Sequence, residues 1–274
     1  MQQQILEQKK LIRDAVNKVF EGFHVEKYFS DEKYKIVDTS TGKTCLQFEF
    51  VDHEFTTRRY PSLPHHPKYK DLTVLHILSL SKCGANSGNT LLRLVDELAK
   101  SIPFVEHITL TDASNIKKCG DRLNLPDLRI LTSERGESWY NHWGYKSAKH
   151  HDNTELRNMN MREYLHGNRA LDSVIKVAFP EVDTNVTVHE YVKAIYHQIR
   201  SFPEEDECDD AQINKIQTLQ MLIRELSVEY SKALFKTVEH GSRGGSKRST
   251  TKRSTKKRKT KRLMTKKRKI KKRN

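Results

Sequence analysis

The first amphipathic stripe along the chain falls between residues 4 and 23. Ile5, Ile12, Val16, Val19 and Phe23 lie near one face there, with Lys, Arg and Glu elsewhere, which predicts a helix. Three short strand-like runs follow, at His24–Phe29, Tyr34–Asp38 and Thr44–Val51. In the last of these Leu46, Phe48 and Phe50 alternate with Gln47 and Glu49, as a strand with one buried face requires. Ser40-Thr41-Gly42 suits a hairpin turn between the second and third runs. Residues 56–70 hold three prolines and no period, so a loop is expected. Leu72–Leu80 is apolar on both faces, the pattern of a strand covered on both sides. Ser81–Asn89 is a Gly/Asn/Ser turn. Thr90–Lys100 then carries Leu91, Leu94, Val95 and Leu98 on one helical stripe. Val105–Thr111 reads as a further strand. Strand, turn, helix and strand make a βαβ unit, which implies a parallel strand pair.

Residues 112–165 show little periodicity. Beyond about residue 168 the pattern turns helical. Thr187-Val188-His189-Glu190 has the form of a capping box. Behind it Val188, Tyr191, Val192, Ile195 and Ile199 form a stripe that ends before Pro203. Glu204–Asp210 is an acidic loop. Ala211–Val238 is expected as one long helix, carrying Ile216, Leu219, Ile223, Leu226 and Tyr230 and stopped by Gly241. The fold class expected is therefore mixed α/β: an N-terminal helix (1–23), a sheet domain with flanking helices (24–166), a C-terminal helical extension (167–240) and a tail (241–274).

Charge changes this picture only at the end of the chain. Arg243–Arg273 carries 18 of the 50 Lys and Arg residues and no acid, which leaves 32 basic against 35 acidic residues in the body. The formal charge of +15 thus divides into +18 and −3. Composition offers no basic nucleic-acid face on the body, while the tail has almost nothing apolar to repay ordering. The tail is expected to be unfolded and to hold a polyanion, nucleic acid above all. The contacts fall to Lys247, Arg248, Lys252, Arg253, Lys256, Lys257, Arg258, Lys259, Lys261, Arg262, Lys266, Lys267, Arg268, Lys269, Lys271, Lys272 and Arg273. Its two Lys-Lys-Arg-Lys clusters also fit nuclear import signals. A solubility or address tag without a strong ligand is the third alternative.

No apolar run reaches the length of a membrane span, and no secretory signal precedes the body. An intracellular, reducing location is expected, in a nucleus or a viral factory or virion. All four cysteines (Cys45, Cys83, Cys119 and Cys208) are expected as free thiols. The histidines at His65-His66 and His150-His151 lack the spacing of a metal site, and no metal is expected. His76, within the strongest strand, reads as a satisfied core residue.

The turn Cys83-Gly84-Ala85-Asn86-Ser87-Gly88 opens a helix, where backbone N–H groups and the helix dipole favour an anion. Downstream stands Tyr140-Asn141-His142-Trp143-Gly144-Tyr145. Together these segments resemble the GNAT acetyltransferase superfamily. In that family a strand enters a turn patterned [Arg/Gln]-x-x-Gly-x-[Gly/Ala], a helix with paired leucines follows, and a later helix ends Tyr-x-x-x-Gly-[Phe/Tyr]. Gly88-Asn89-Thr90-Leu91-Leu92 matches the end of the turn, and Tyr140–Tyr145 matches the last motif in full. By this register Cys83 and Asn86 take the places of the family's Arg/Gln and middle Gly. The resemblance covers roughly residues 70–150. It implies a GNAT-like central sheet, with the pyrophosphate of acetyl-CoA held by Cys83, Gly84, Asn86, Gly88, Asn89 and Thr90. It also implies Tyr140 as general acid to the departing CoA thiolate, and an amine acceptor, which a protein could supply. Asp112, at the end of a predicted strand, is the candidate base. Two functions from different classes are open: an acetyl-CoA-dependent N-acetyltransferase delivered to nucleic acid by its tail, or a non-enzymatic DNA-associated or virion protein on the same scaffold. The tail's style resembles proteins of large double-stranded DNA viruses.

Overall fold

Alternating burial along Thr44–Val51, with Cys45, Leu46, Phe48 and Phe50 inside, makes this strand the centre of one half of the sheet. The computed structural model describes residues 2–27, 32–52, 73–83, 86–147, 152–205 and 207–240. The polycationic tail, the loop 56–70, Gly84 and the histidines at 65, 66, 150 and 151 lie outside the described residues.

The chain opens with α1 (Gln2–Val19), then β1 (His24–Lys27), β2 (Lys33–Val37), β3 (Thr44–Val51) and β4 (Val74–Leu80). It continues through α2 (Gly88–Ser101), β5 (His107–Thr111), the hairpin β6 (Asn115–Lys118) and β7 (Asp121–Asn124), and α3 (Leu125–Thr132). A 3₁₀ turn at Tyr140–Trp143 leads to β8 (Lys146–Ser147). Five helices follow: α4 (Thr154–Asn158), α5 (Met161–His166), α6 (Arg169–Ala178), α7 (Val188–Ile199) and α8 (Asp210–Glu225). The chain then returns as β9 (Ala233–Thr237). The main sheet has the order β1-β2-β3-β4-β5-β9-β8, and every neighbouring pair is antiparallel except β4 and β5. The parallel pair is the one that the βαβ pattern predicts.

Two apolar cores divide the body. The first packs α1 and α2 on the sheet: Ile12, Val16 and Phe20 meet Tyr34, Phe48, Leu91, Val95 and Leu98. Phe20 stacks on Phe48 with ring centroids 5.9 Å apart, a spacing typical of favourable aromatic pairs. The second core is helical and joins Leu123, Leu128 and Leu131 to Leu171, Tyr191, Val192, Ile195, Leu219 and Leu222. The helical part is thus wider than the expected extension: it recruits the β6–β7 hairpin and α3 from upstream. Lys118 fastens that hairpin by donating to the Arg200 and Phe202 carbonyls (2.9 and 2.6 Å), where a cation suits a helix C-terminus. The expected capping box at Thr187 and Glu190 is present, and a second one, Asp209 with Gln212, starts α8.

Three expectations are corrected. The long helix 211–238 ends at Glu225; Ser227 takes a left-handed backbone (φ 48°), and Ala233–Thr237 pairs with β5. The sheet needs a strand on the β5 edge, and satisfying those backbone groups outweighs continuing the helix. The cysteines are not free. Cys45 is bonded to Cys83 and Cys119 to Cys208, with Cα–Cα separations of 5.1 and 5.4 Å, within disulfide range. Strand pairing sets the first couple side by side, since the Ser81 N–H donates to the Cys45 carbonyl (2.8 Å). Finally, β4 is covered on both faces only through Ile77. Gln47 pairs with Ser79 but Phe48 with Ile77, so Leu78 is the extra residue of a bulge and is left 38% exposed.

Candidate functional site

The parallel ladder between β4 and β5 runs from Val74–His107 to Ile77–Leu110 and stops there. β4 continues without β5 through Leu78, Ser79 and Leu80, where Ser79 and Leu80 pair with β3, into the turn that opens α2, while β5 ends at Thr111, just before Asp112. Crevices outside the carboxyl ends of parallel strands are common ligand sites. His76, below this end, is buried, and its Nδ1 lies 2.9 Å from Thr109 Oγ1. It is the satisfied core histidine that the sequence suggests.

On the β4 side, Cys83 and Asn86 bond to each other through both backbone N–H groups (3.3 and 2.9 Å), which closes the turn tightly. The Cys83 side chain is fully buried in the sheet core. Ser87 is the N-cap of α2, and its Oγ accepts from the Thr90 N–H (3.3 Å). Two N–H groups of the first turn, those of Gly88 and Asn89, have no intrahelical acceptor by position, and they are the donors available to an anion. Trp139 leans on this helix start. A β-carbon at Gly88 would stand 3.0 Å from Trp139 Cη2.

On the β5 side, Asp112 is buried, and both carboxylate oxygens are engaged. Oδ1 accepts from Ser114 Oγ (2.6 Å), and Oδ2 accepts from the Tyr230 hydroxyl (3.2 Å), which also lies 3.1 Å from Ser138 Oγ. Tyr230, expected on a helix stripe, is thus a member of this network. Ser138 leads directly into the Tyr140–Trp143 turn. Asn141 clamps that turn, accepting from the Ser138 N–H (2.8 Å) and donating to the Tyr145 carbonyl (3.0 Å). Gly144 closes it at φ 82°, a backbone that glycine adopts without penalty. The motif's Gly therefore has a local reason. Tyr140 is half-buried, edge-on to Trp139 and Tyr145 with centroids 4.8 and 5.9 Å apart. Burial, then the charge of Asp112, pushes its phenol up to about 12. It keeps its proton at neutral pH and has the chemistry of a donor.

The structure thus brings Asp112 and Tyr140 to one end of the sheet and sets Asn86, Gly88, Asn89 and Thr90 at the start of α2. The Cys83 side chain is buried and bonded to Cys45. Sequence reasoning missed Tyr230, Ser138 and Trp139 as members of the site, because their roles depend on contacts across the fold. A cavity of about 500 Å³ adjoins the network, lined by Glu137, Asn141, Tyr145, Lys146, Glu229 and Tyr230 among others. Among the described residues one group could gather a metal ion, Asp38 with Cys45 and Cys83. Its two sulfurs are bonded to each other, and Asp38 Oδ1 caps the β2–β3 turn through Ser40 and Thr41. No helix among the described residues is long and apolar enough to cross a membrane. Comparison with protein-family models, with curated proteins and with solved structures returns no match.

Proposed function

We propose that residues 1–240 form a GNAT-like N-acetyltransferase domain and that the tail tethers it to nucleic acid. The observation that supports the first half is the convergence at the carboxyl end of β5. Asp112, Ser138, Tyr140 and Tyr230 come from three separate segments, next to the point where the β4–β5 ladder ends. In this reading the Gly88 and Asn89 N–H groups face the pyrophosphate of acetyl-CoA, whose thioester supplies the acyl group. Tyr140 holds the proton that the departing thiolate needs. Asp112, fixed by Ser114 and Tyr230, takes the proton from the acceptor amine. The tail's support is its 18 cationic residues without an acid, and the setting proposed is a nucleus or a viral factory.

A second reading has its own observation. Trp139 fills the space before Gly88, and the Asn86 and Thr90 N–H groups are already bonded within the turn. These contacts suit a scaffold that keeps the sheet without the cofactor. Calorimetric titration of acetyl-CoA into residues 1–240, which form one compact unit, separates the two. Saturable micromolar binding that persists at about 200 mM salt, where phosphate contacts of the tail type weaken, supports the transferase. No heat at millimolar ligand leaves the nucleic-acid-associated scaffold.

A further inference from the structure

A second groove, of about 800 Å³, lies between the end of the β6–β7 hairpin, the start of α3 and the last turns of α8. Its lining is chemically divided. Arg122, in β7, and Arg224, in the last turn of α8, both line it and are exposed, and among the described residues neither guanidinium has an acidic partner. Asp127 is half-buried in the same groove. Asn124 Nδ2 donates to one of its carboxylate oxygens, and its N–H donates to Asn124 Oδ1 (3.3 Å). Desolvation, with Asp112 as a further contributor, holds its carboxyl above the usual range, although Lys232 pulls the other way. The groove thus carries a half-buried carboxylate, on which Lys232 is the one cation that acts, and two guanidiniums without an acidic partner along the same lining.

The walls are fixed. Gln220 Nε2 donates to the Arg122 carbonyl (3.1 Å), tying the hairpin to α8. At the rim Ser227 holds the left-handed backbone that ends α8, a conformation uncommon outside glycine. Two connections lead from the groove to the network at β5. The Leu125 N–H donates to the Ser114 carbonyl (3.2 Å), and Ser114 Oγ donates to Asp112. Three residues past Ser227, Tyr230 donates to the same carboxylate.

We propose that this groove binds a small molecule or short peptide carrying both an amine and a carboxylate, the ammonium at Asp127 and the carboxylate at Arg122 and Arg224. Binding stands by itself. The role of the bound amine as acyl acceptor rests on the transferase reading given above. A free amino acid and a peptide offer the same two charges and differ in the distance between them.

The test is calorimetry on the full chain at about 150 mM salt, without acetyl-CoA, using glycine, 4-aminobutyrate, 6-aminohexanoate and triglycine. Butylamine and butyrate, each with one charge, are the controls. At least one zwitterion should bind saturably and at least about tenfold more tightly than either control, since each charge-assisted contact is worth about a factor of ten or more. The span of the best amino acid, or a preference for triglycine, names the source. Arg224→Ala and Asp127→Asn should each weaken binding about tenfold. Both leave the tail intact, so nonspecific uptake by the tail cancels. Binding by no probe at millimolar concentration, or binding that both variants leave unchanged, overturns the proposal. Zwitterion binding by a chain that does not take acetyl-CoA would keep the groove and remove the transferase. Acetyl-CoA binding without zwitterion binding would do the reverse.

Discussion

The Trp139 indole lies across the first residue of α2, with Cη2 only 3.0 Å and Cζ2 3.3 Å from where a β-carbon on Gly88 would stand. Gly88 is therefore a packing residue as well as a candidate anion donor. Gly88→Ala should destabilise the body by about 1–3 kcal/mol, the usual range for an overpacked contact, despite alanine's better helix propensity. Urea unfolding of residues 1–240 measures it. Trp139→Leu in the same chain should recover part of the loss, because the two positions share one contact and their effects are then not additive. Additive effects would mean that the indole is free to move away.

Alkaline pH should loosen the fold in a defined window. Tyr140 ionises near 10 when unfolded and is held at about 12 when folded. Tyr145, Tyr191 and Tyr230 are also raised, each chiefly by burial. A folded value above the unfolded one means that the native state binds more protons once pH passes 10. The stabilisation is complete below pH 10 and is lost as pH rises towards 12. The urea midpoint should fall steeply between those values. In Tyr140→Phe the fall should be shallower. The chain has ten tyrosines, so the check is by difference: the part of the phenolate absorbance missing from Tyr140→Phe should appear with unfolding, and its appearance in the folded protein would show that this ring is open to solvent.

How much of this was legible beforehand depends on the range of the forces involved. Local signals performed well: alternation marked β3, the leucine stripe marked α2, and Thr187 with Glu190 marked the start of α7. The misreading of 211–238 has a physical source. Ile216, Leu219, Ile223 and Leu226 do form one stripe, and Tyr230 continues its spacing. Between Glu225 and Ala233 neither Gly nor Pro marks the break; a serine in the left-handed region does that work. Demand from the exposed β5 edge then decides the conformation of Ala233–Thr237. Tyr140 and Asp112 were legible through a motif and a strand end. Their partner Tyr230 was not, since 118 residues separate it from Asp112. Leu78 escaped for a similar reason: a bulge is a property of two strands, and only one was in view.

The two disulfides should differ in what they hold. Cys119–Cys208 spans 89 residues and pins the β6–β7 turn to the segment before α8, beside the Cys119 N–H bond to the Pro203 carbonyl (2.9 Å). Cys45–Cys83 spans 38 residues and joins β3 to the turn before α2. Chain entropy in the unfolded state scales with the closed loop, and each link is worth about 2–4 kcal/mol. Cys208→Ala should therefore lower stability by that amount, with the loss seen first as faster amide exchange in the helical core. Cys83→Ala should act on the sheet core and on the start of α2. Thiol quantification on the purified chain is the direct check. Four reactive thiols without reductant, under denaturing conditions, would remove this prediction.

The tail should make nucleic-acid binding separable from the body and strongly dependent on salt. The body has a formal charge of −3, so it supplies no general attraction, while the tail supplies +18 within 34 residues. Each phosphate neutralised by Lys or Arg releases condensed counterions, and the logarithm of affinity falls linearly with that of salt. With six to ten contacts engaged, duplex affinity should fall by about 10³–10⁵ between 50 and 200 mM salt. Removing residues 241–274 should abolish the binding. No Phe, Tyr or Trp lies in the tail, so base stacking is unavailable and homopolymeric single strands should be bound alike. Phosphorylation of its Ser and Thr residues would subtract charge and flatten the slope. A slope close to zero, or undiminished binding by residues 1–240, would move the nucleic-acid contact onto the body, against its charge.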